Sequence, residues 1–110
     1  VTEGLEFFDK NFGFAGLTGA SQSHSSLYVT RDGGTTFTEL QLPLETVTEL
    51  PPLAKELNFT IENYKYCEMP KKKEDILTIK LLTGAGEIQG IRFESKDNGE
   101  TWAYAGISVE

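Results

Sequence analysis

Carboxylates are the most numerous charged groups with which this chain could do chemistry. Seventeen aspartates and glutamates stand against ten lysines and arginines, one histidine and one cysteine. Glu94 and Glu100 flank a tight acidic turn and could approach each other across a hairpin. Glycoside hydrolysis needs two such carboxyl groups aimed at one cleft, but in a chain this acidic such pairs arise by chance. Asp97-Asn98-Gly99 could offer oxygens to calcium, yet the dense series of ligands that a calcium loop uses is missing. His24 lies in Ser21-Gln22-Ser23-His24-Ser25-Ser26, an arrangement that suggests a nucleophile and its base. Triad geometry draws its members from separate elements, so a polar hairpin loop explains His24 more simply. A second histidine and a cysteine pair are both lacking, which disfavours zinc. Cys67 reads as a half-buried strand residue rather than a nucleophile, and with no second cysteine there is no internal disulfide. No cofactor is implied.

The strongest signal is a pair of matching turns. Ser95-Lys96-Asp97-Asn98-Gly99-Glu100-Thr101-Trp102 has a near copy, Thr30-Arg31-Asp32-Gly33-Gly34-Thr35-Thr36-Phe37, 65 residues earlier. Position by position they share hydroxyl, base, Asp, variable, Gly, variable, Thr, aromatic. A tight reversal strands backbone N–H groups without ladder partners. A short carboxylate at the third position, Asp97 or Asp32, can accept from loop amides that follow it. Gly99 and Gly34 suit a residue that must take a positive φ. The hydroxyls of Ser95 and Thr30, and of Thr101 and Thr36, can bond across the loop base. Trp102 and Phe37 start the next strand and cover the turn.

Strands must position these turns. Residues 4–8, 12–17, 27–30 and 36–42 read as one run of four strands, and residues 63–68, 76–83, 87–95 and 101–108 as a second. Leu77, Ile79 and Leu81 alternate with Thr78 and Lys80, the period-two signature of a half-buried strand. Between the runs, residues 43–60 are punctuated by Pro43, Pro51 and Pro52, with a short helix over 52–58. Met69 to Asp75, with Pro70 and three lysines, reads as a solvated turn. The expected architecture is all-β: two four-stranded antiparallel meanders, 1–42 and 61–110, in one domain spanning 1–110. Glu6, Lys65 and Glu68 could guard exposed sheet edges.

The pattern S/T-x-D-x-G-x-T-W/F resembles the Asp-box, or BNR repeat, of sialidase-like and sortilin-like β-propellers. Phe7-Phe8-Asp9-Lys10-Asn11-Phe12-Gly13-Phe14-Ala15-Gly16 is similar to the opening of such a blade. The resemblance covers residues 4–42 and 86–108 closely and the stretch between them loosely. It implies that each turn links the third and fourth strands of a blade on the outer rim, away from a ligand-binding centre. Asp32 and Asp97 would then be structural. Sialidases hold their substrate carboxylate with three arginines and use a Tyr/Glu nucleophile pair. Here only Arg31 and Arg92 occur, one inside a turn and one on a strand, so that activity does not transfer. Two blades cannot close a ring, since propellers use about four to eight. A fragment of a larger propeller, a small sandwich and a ring of several chains all remain open.

The net charge of −7 and pI near 4.7 disfavour nucleic acid and anionic membranes, which need a basic footprint. No apolar run has the length of a membrane span. The chain begins at Val1, without a signal peptide, and is expected to be processed or cut from something longer. Asn58-Phe59-Thr60 matches the N-glycosylation acceptor pattern. The expected function is a non-catalytic, exported interaction or scaffold module, secreted or on a bacterial cell surface. Its partner would be an unknown protein or glycan, with homo-oligomers allowed. The alternatives are a piece of a glycosidase propeller, or a carbohydrate-binding module that stacks sugars on Tyr64 and Tyr66.

Overall fold

A computed structural model describes residues 2–18, 25–83 and 89–108. The expected polar loop with His24 falls outside these residues. Two antiparallel sheets account for most of the regular structure among these residues. In the first, β1 (Thr2–Phe7), β2 (Gly13–Thr18), β3 (Ser25–Thr30) and β4 (Thr38–Glu39) follow in simple order. In the second, β5 (Tyr66–Cys67), β7 (Ile76–Leu82), β8 (Gly90–Ser95) and β9 (Ala103–Ser108) lie in order, and β6 (Lys71–Lys73) also pairs with β7. The fold is all-β, and among the described residues the connection carries one short α-helix, α1 (Pro52–Leu57), besides two 3-10 turns.

Alternation explains how the sheets meet. Leu77, Ile79 and Leu81 on β7 share a face with Ile91, Phe93 and Ser95 on β8, and all six are buried. On β2 and β3, Phe14 and Leu27 point the same way. The two faces meet in a cluster of Phe12, Phe14 and Leu77, while Ala54 and Tyr64 from the connection cover Leu81, Ile91 and Phe93 in another. Trp102 packs against both clusters. Burying a large apolar side chain of this kind contributes about 1.5–3 kcal/mol.

Three local details differ from the pattern reading. The second sheet has a fifth strand, because Lys71–Lys73 pairs with β7 where a solvated turn was expected. Pro70 donates no ladder hydrogen bond and so separates β5 from β6. The reversal narrows to Glu74-Asp75, with Glu74 left-handed at φ 58°. The expected strand at 63–68 shrinks to two residues, because Thr60 and Asn63 close a reciprocal cap over a 3-10 turn, Ile61–Asn63. The Thr60 N–H donates to Asn63 Oδ1 at 2.8 Å. The expected strand at 36–42 is regular only at Thr38–Glu39, although Leu40 still bonds to Leu27 of β3 and Leu40 and Leu42 pack inward.

Candidate functional site

Each acidic turn folds around its own carboxylate. In the first, Asp32 Oδ1 accepts from the Thr36 N–H at 2.9 Å and from the Thr30 hydroxyl at 2.8 Å. Its Oδ2 accepts from the Thr36 hydroxyl at 2.6 Å. Thr30 Oγ1 in turn accepts from the Gly34 N–H at 2.9 Å. The second turn repeats every link. Asp97 Oδ1 accepts from the Thr101 N–H at 2.9 Å and the Ser95 hydroxyl at 2.8 Å. Asp97 Oδ2 accepts from the Thr101 hydroxyl at 2.5 Å, and Ser95 Oγ accepts from the Gly99 N–H at 2.8 Å.

The circuit joins the direct carboxylate-to-amide contact expected from the sequence to a relay that was not expected. The carboxylate bonds the amide four residues on. The glycine amide reaches it only through the leading hydroxyl, which accepts from the amide and donates to the carboxylate. Thr30 and Ser95 are each 1% exposed, so this relay also satisfies buried hydroxyls. Two consecutive left-handed residues make the reversal: Gly33 (φ 73°) and Gly34 (φ 97°), Asn98 (φ 61°) and Gly99 (φ 86°). That is the requirement of a type I′ hairpin turn, which Asn-Gly meets with least strain.

These hydrogen bonds hold both carboxyls down to about 2 from an ordinary 3.8. The Thr36 and Thr101 hydroxyls act most strongly, then the amides of the same residues, then Thr30 and Ser95. A group so acidic carries no proton to give at neutral pH and is a poor base. Its bonded oxygens are turned to the loop.

The turns also meet. The Arg31 Nη2 lies 3.2 Å from Glu100 Oε1 and donates to the Asn98 carbonyl at 3.4 Å. The Arg31 guanidinium carbon stands 4.7 Å from the centre of the Phe12 ring. Phe12 belongs to a third turn, in which Asp9 Oδ1 accepts from the Asn11 and Phe12 amides, each at 2.7 Å. Those amides, Phe12's foremost, lower the Asp9 carboxyl from its usual range. The Gly33 N–H donates to the Asn11 carbonyl at 3.0 Å, so three acidic reversals cluster at one end of the molecule.

The other candidates are dispersed. Glu100 faces Arg31, while Glu94 lies 3.9 Å from Arg92 Nε on the opposite face of the second sheet. Burial pushes the Cys67 thiol up to about 11, so it stays protonated. Tyr64, one of the two candidate sugar-stacking rings, is 3% exposed and packs edge-on against Phe59. A ring so placed offers no free face to a sugar, and Tyr66 beside it is half-buried. Phe37 is 40% exposed, whereas Trp102 stacks edge-on to Phe14. His24 lies outside the described residues. Among the described residues no group of three His, Cys, Asp or Glu could hold a metal, and no helix is long and apolar enough to cross a membrane.

The contact between the turns is what pattern reading missed. Arg31 reads in isolation as a surface or cross-strand residue. Only the packing of one sheet on the other brings Asn98 and Glu100 to it. Comparison with protein-family models, with curated proteins and with solved structures found no match.

Proposed function

We propose that this chain is an Asp-box β-repeat module that acts without catalysis, as an interaction or scaffold domain of a secreted or cell-surface protein. The observation that supports it most is the engagement of Asp32 and Asp97 by their own turns. Each carboxylate accepts from one amide and two hydroxyls. Groups committed in this way stiffen a reversal and leave the sheets to present surface.

A glycosidase reading would need two carboxyl groups facing one cleft. Glu94 and Glu100 face different arginines instead. A sugar-stacking reading loses Tyr64 to the core. Incubation with a panel of chromogenic glycosides tests the proposal: no turnover is expected. Turnover that disappears in Asp97→Asn or Asp32→Asn would overturn it, since the turns would then be doing chemistry. Surface labelling of intact producing cells checks the compartment; labelling only after lysis would remove the export part.

A further inference from the structure

One edge of the first sheet is open beside a cavity with aliphatic walls and a polar rim, and the two features fit a single occupant. Thr38 and Val29 are partners, as are Glu39 and Tyr28, and the Leu40 N–H donates to the Leu27 carbonyl at 2.8 Å. Antiparallel ladders alternate hydrogen-bonded and non-bonded pairs. With 27 and 40 a bonded pair, the pair of 28 and 39 is non-bonded, and the N–H and C=O of Glu39 face away from β3. β4 is the last strand of its sheet, and Thr38 and Glu39 are exposed.

Next to this edge lies a cavity of about 220 Å³. Its walls include Leu27, Leu40, Leu42, Tyr64 and Leu81, with Glu39 and Lys65 at the rim. That volume holds one or two aliphatic side chains. Of the two charged residues on its rim, Glu39 stands on β4 itself, and Lys65 lies outside that strand. A small apolar molecule could fill the cavity but would leave the outward main chain of β4 unused. An added strand would use both, in the manner of β-augmentation.

We propose that the edge of β4 binds an extended peptide segment of a partner protein. The segment adds antiparallel or parallel to β4, inserts an aliphatic side chain between Leu42 and Leu81, and sets a lysine or arginine against Glu39. The inference rests on reading the chain as an interaction module and supplies that module's partner class.

The probe is a fluorescein-labelled heptapeptide of alternating lysine and valine with a central leucine, followed by anisotropy against the full chain. Saturable binding below about 1 mM is expected, with a loss of at least about tenfold when alternate peptide nitrogens are methylated. Glu39→Lys should weaken the lysine peptide several-fold and bind a glutamate-substituted peptide better than the native chain does. Leu42→Trp, which fills the cavity, should also weaken binding; should it fail to fold, the charge exchange at exposed Glu39 still decides. No saturation by about 1 mM, or equal binding of the methylated peptide, would overturn the site. So would a dimer by light scattering that dissociates in Glu39→Lys, because a second copy would then own the edge. Mass spectrometry of the same peptides separates the two levels. Intact peptides with no binding sink only the site, whereas cleaved peptides sink the non-catalytic reading itself.

Discussion

The turns at 30–37 and 95–102 share a hydrogen-bond circuit link for link, yet they sit in different surroundings. Around the second turn, Trp102 bridges both core clusters and leads into six residues of β9. Around the first, Phe37 is 40% exposed and β4 pairs for two residues. A methyl group on Gly99 would stand 3.0 Å from Phe12 Cζ and 3.5 Å from Arg31 Nη2. On Gly34 it would meet nothing nearer than Phe7 Cζ at 3.7 Å. The circuit is thus a property of eight consecutive residues. What each turn contributes to stability depends on the sheet that lands on it.

Substitutions that pair the turns test this difference. The largest gap is expected at the aromatics. Trp102→Ala should cost about 3 kcal/mol through the void left between the clusters, and Phe37→Ala about 1 kcal/mol or less, in line with its partial exposure. Equal midpoints in urea for the two variants would break the comparison. Next come the glycines. Both occupy left-handed backbone, so alanine strains either by about 1–2 kcal/mol, but Gly99→Ala must also displace Phe12. Gly99→Ala should therefore melt at the lower temperature; the reverse order would show that the ring moves away freely.

The acid response should be shared instead. A carboxyl at about 2 in the fold and 3.8 unfolded binds its proton more readily when unfolded. Its contribution is present above pH 3.8 and disappears as the pH falls from there towards about 2. Asp32→Asn and Asp97→Asn should each start less stable at neutral pH and lose less between those limits. A wild-type slope in both variants, followed by circular dichroism, would place the acid sensitivity elsewhere. The smallest effect belongs to the bridge between the turns. Arg31 and Glu100 side chains are 43% and 64% exposed, and such pairs contribute about 0–1 kcal/mol. Glu100→Gln should shift the urea midpoint barely, and less still in high salt.

Much of the fold is written in local pattern. The period-two run of β7 and the apolar partners on β2, β3 and β8 are local, and so are the turn residues with their Gly or Asn-Gly signals. What could not be read depends on a local cap that overrides alternation or on the meeting of distant segments. Tyr64 and Tyr66 alternate like strand residues, but the cap between Thr60 and Asn63 turns the chain and sends Tyr64 into the core. Lys71–Lys73 looks like a loop tip by charge, and becomes a strand because β7 offers it an edge. The bulge where Arg92 pairs with Gly106 and Phe93 with Tyr104 has no sequence mark beyond a glycine. Arg92 Nη2 donates there to the Ala105 carbonyl at 2.9 Å. At the turns, the residue types identify the members of the circuit but not its route through the leading hydroxyl.

The central claim is that Asp32 and Asp97 serve their own turns. Carbon-13 titration of the aspartate side-chain carboxyls reads it directly. Both should titrate near 2, with midpoints that rise towards 3.8 in Thr36→Val and Thr101→Val respectively. Midpoints at 3.8 or above in the unaltered protein, indifferent to those threonines, would contradict it.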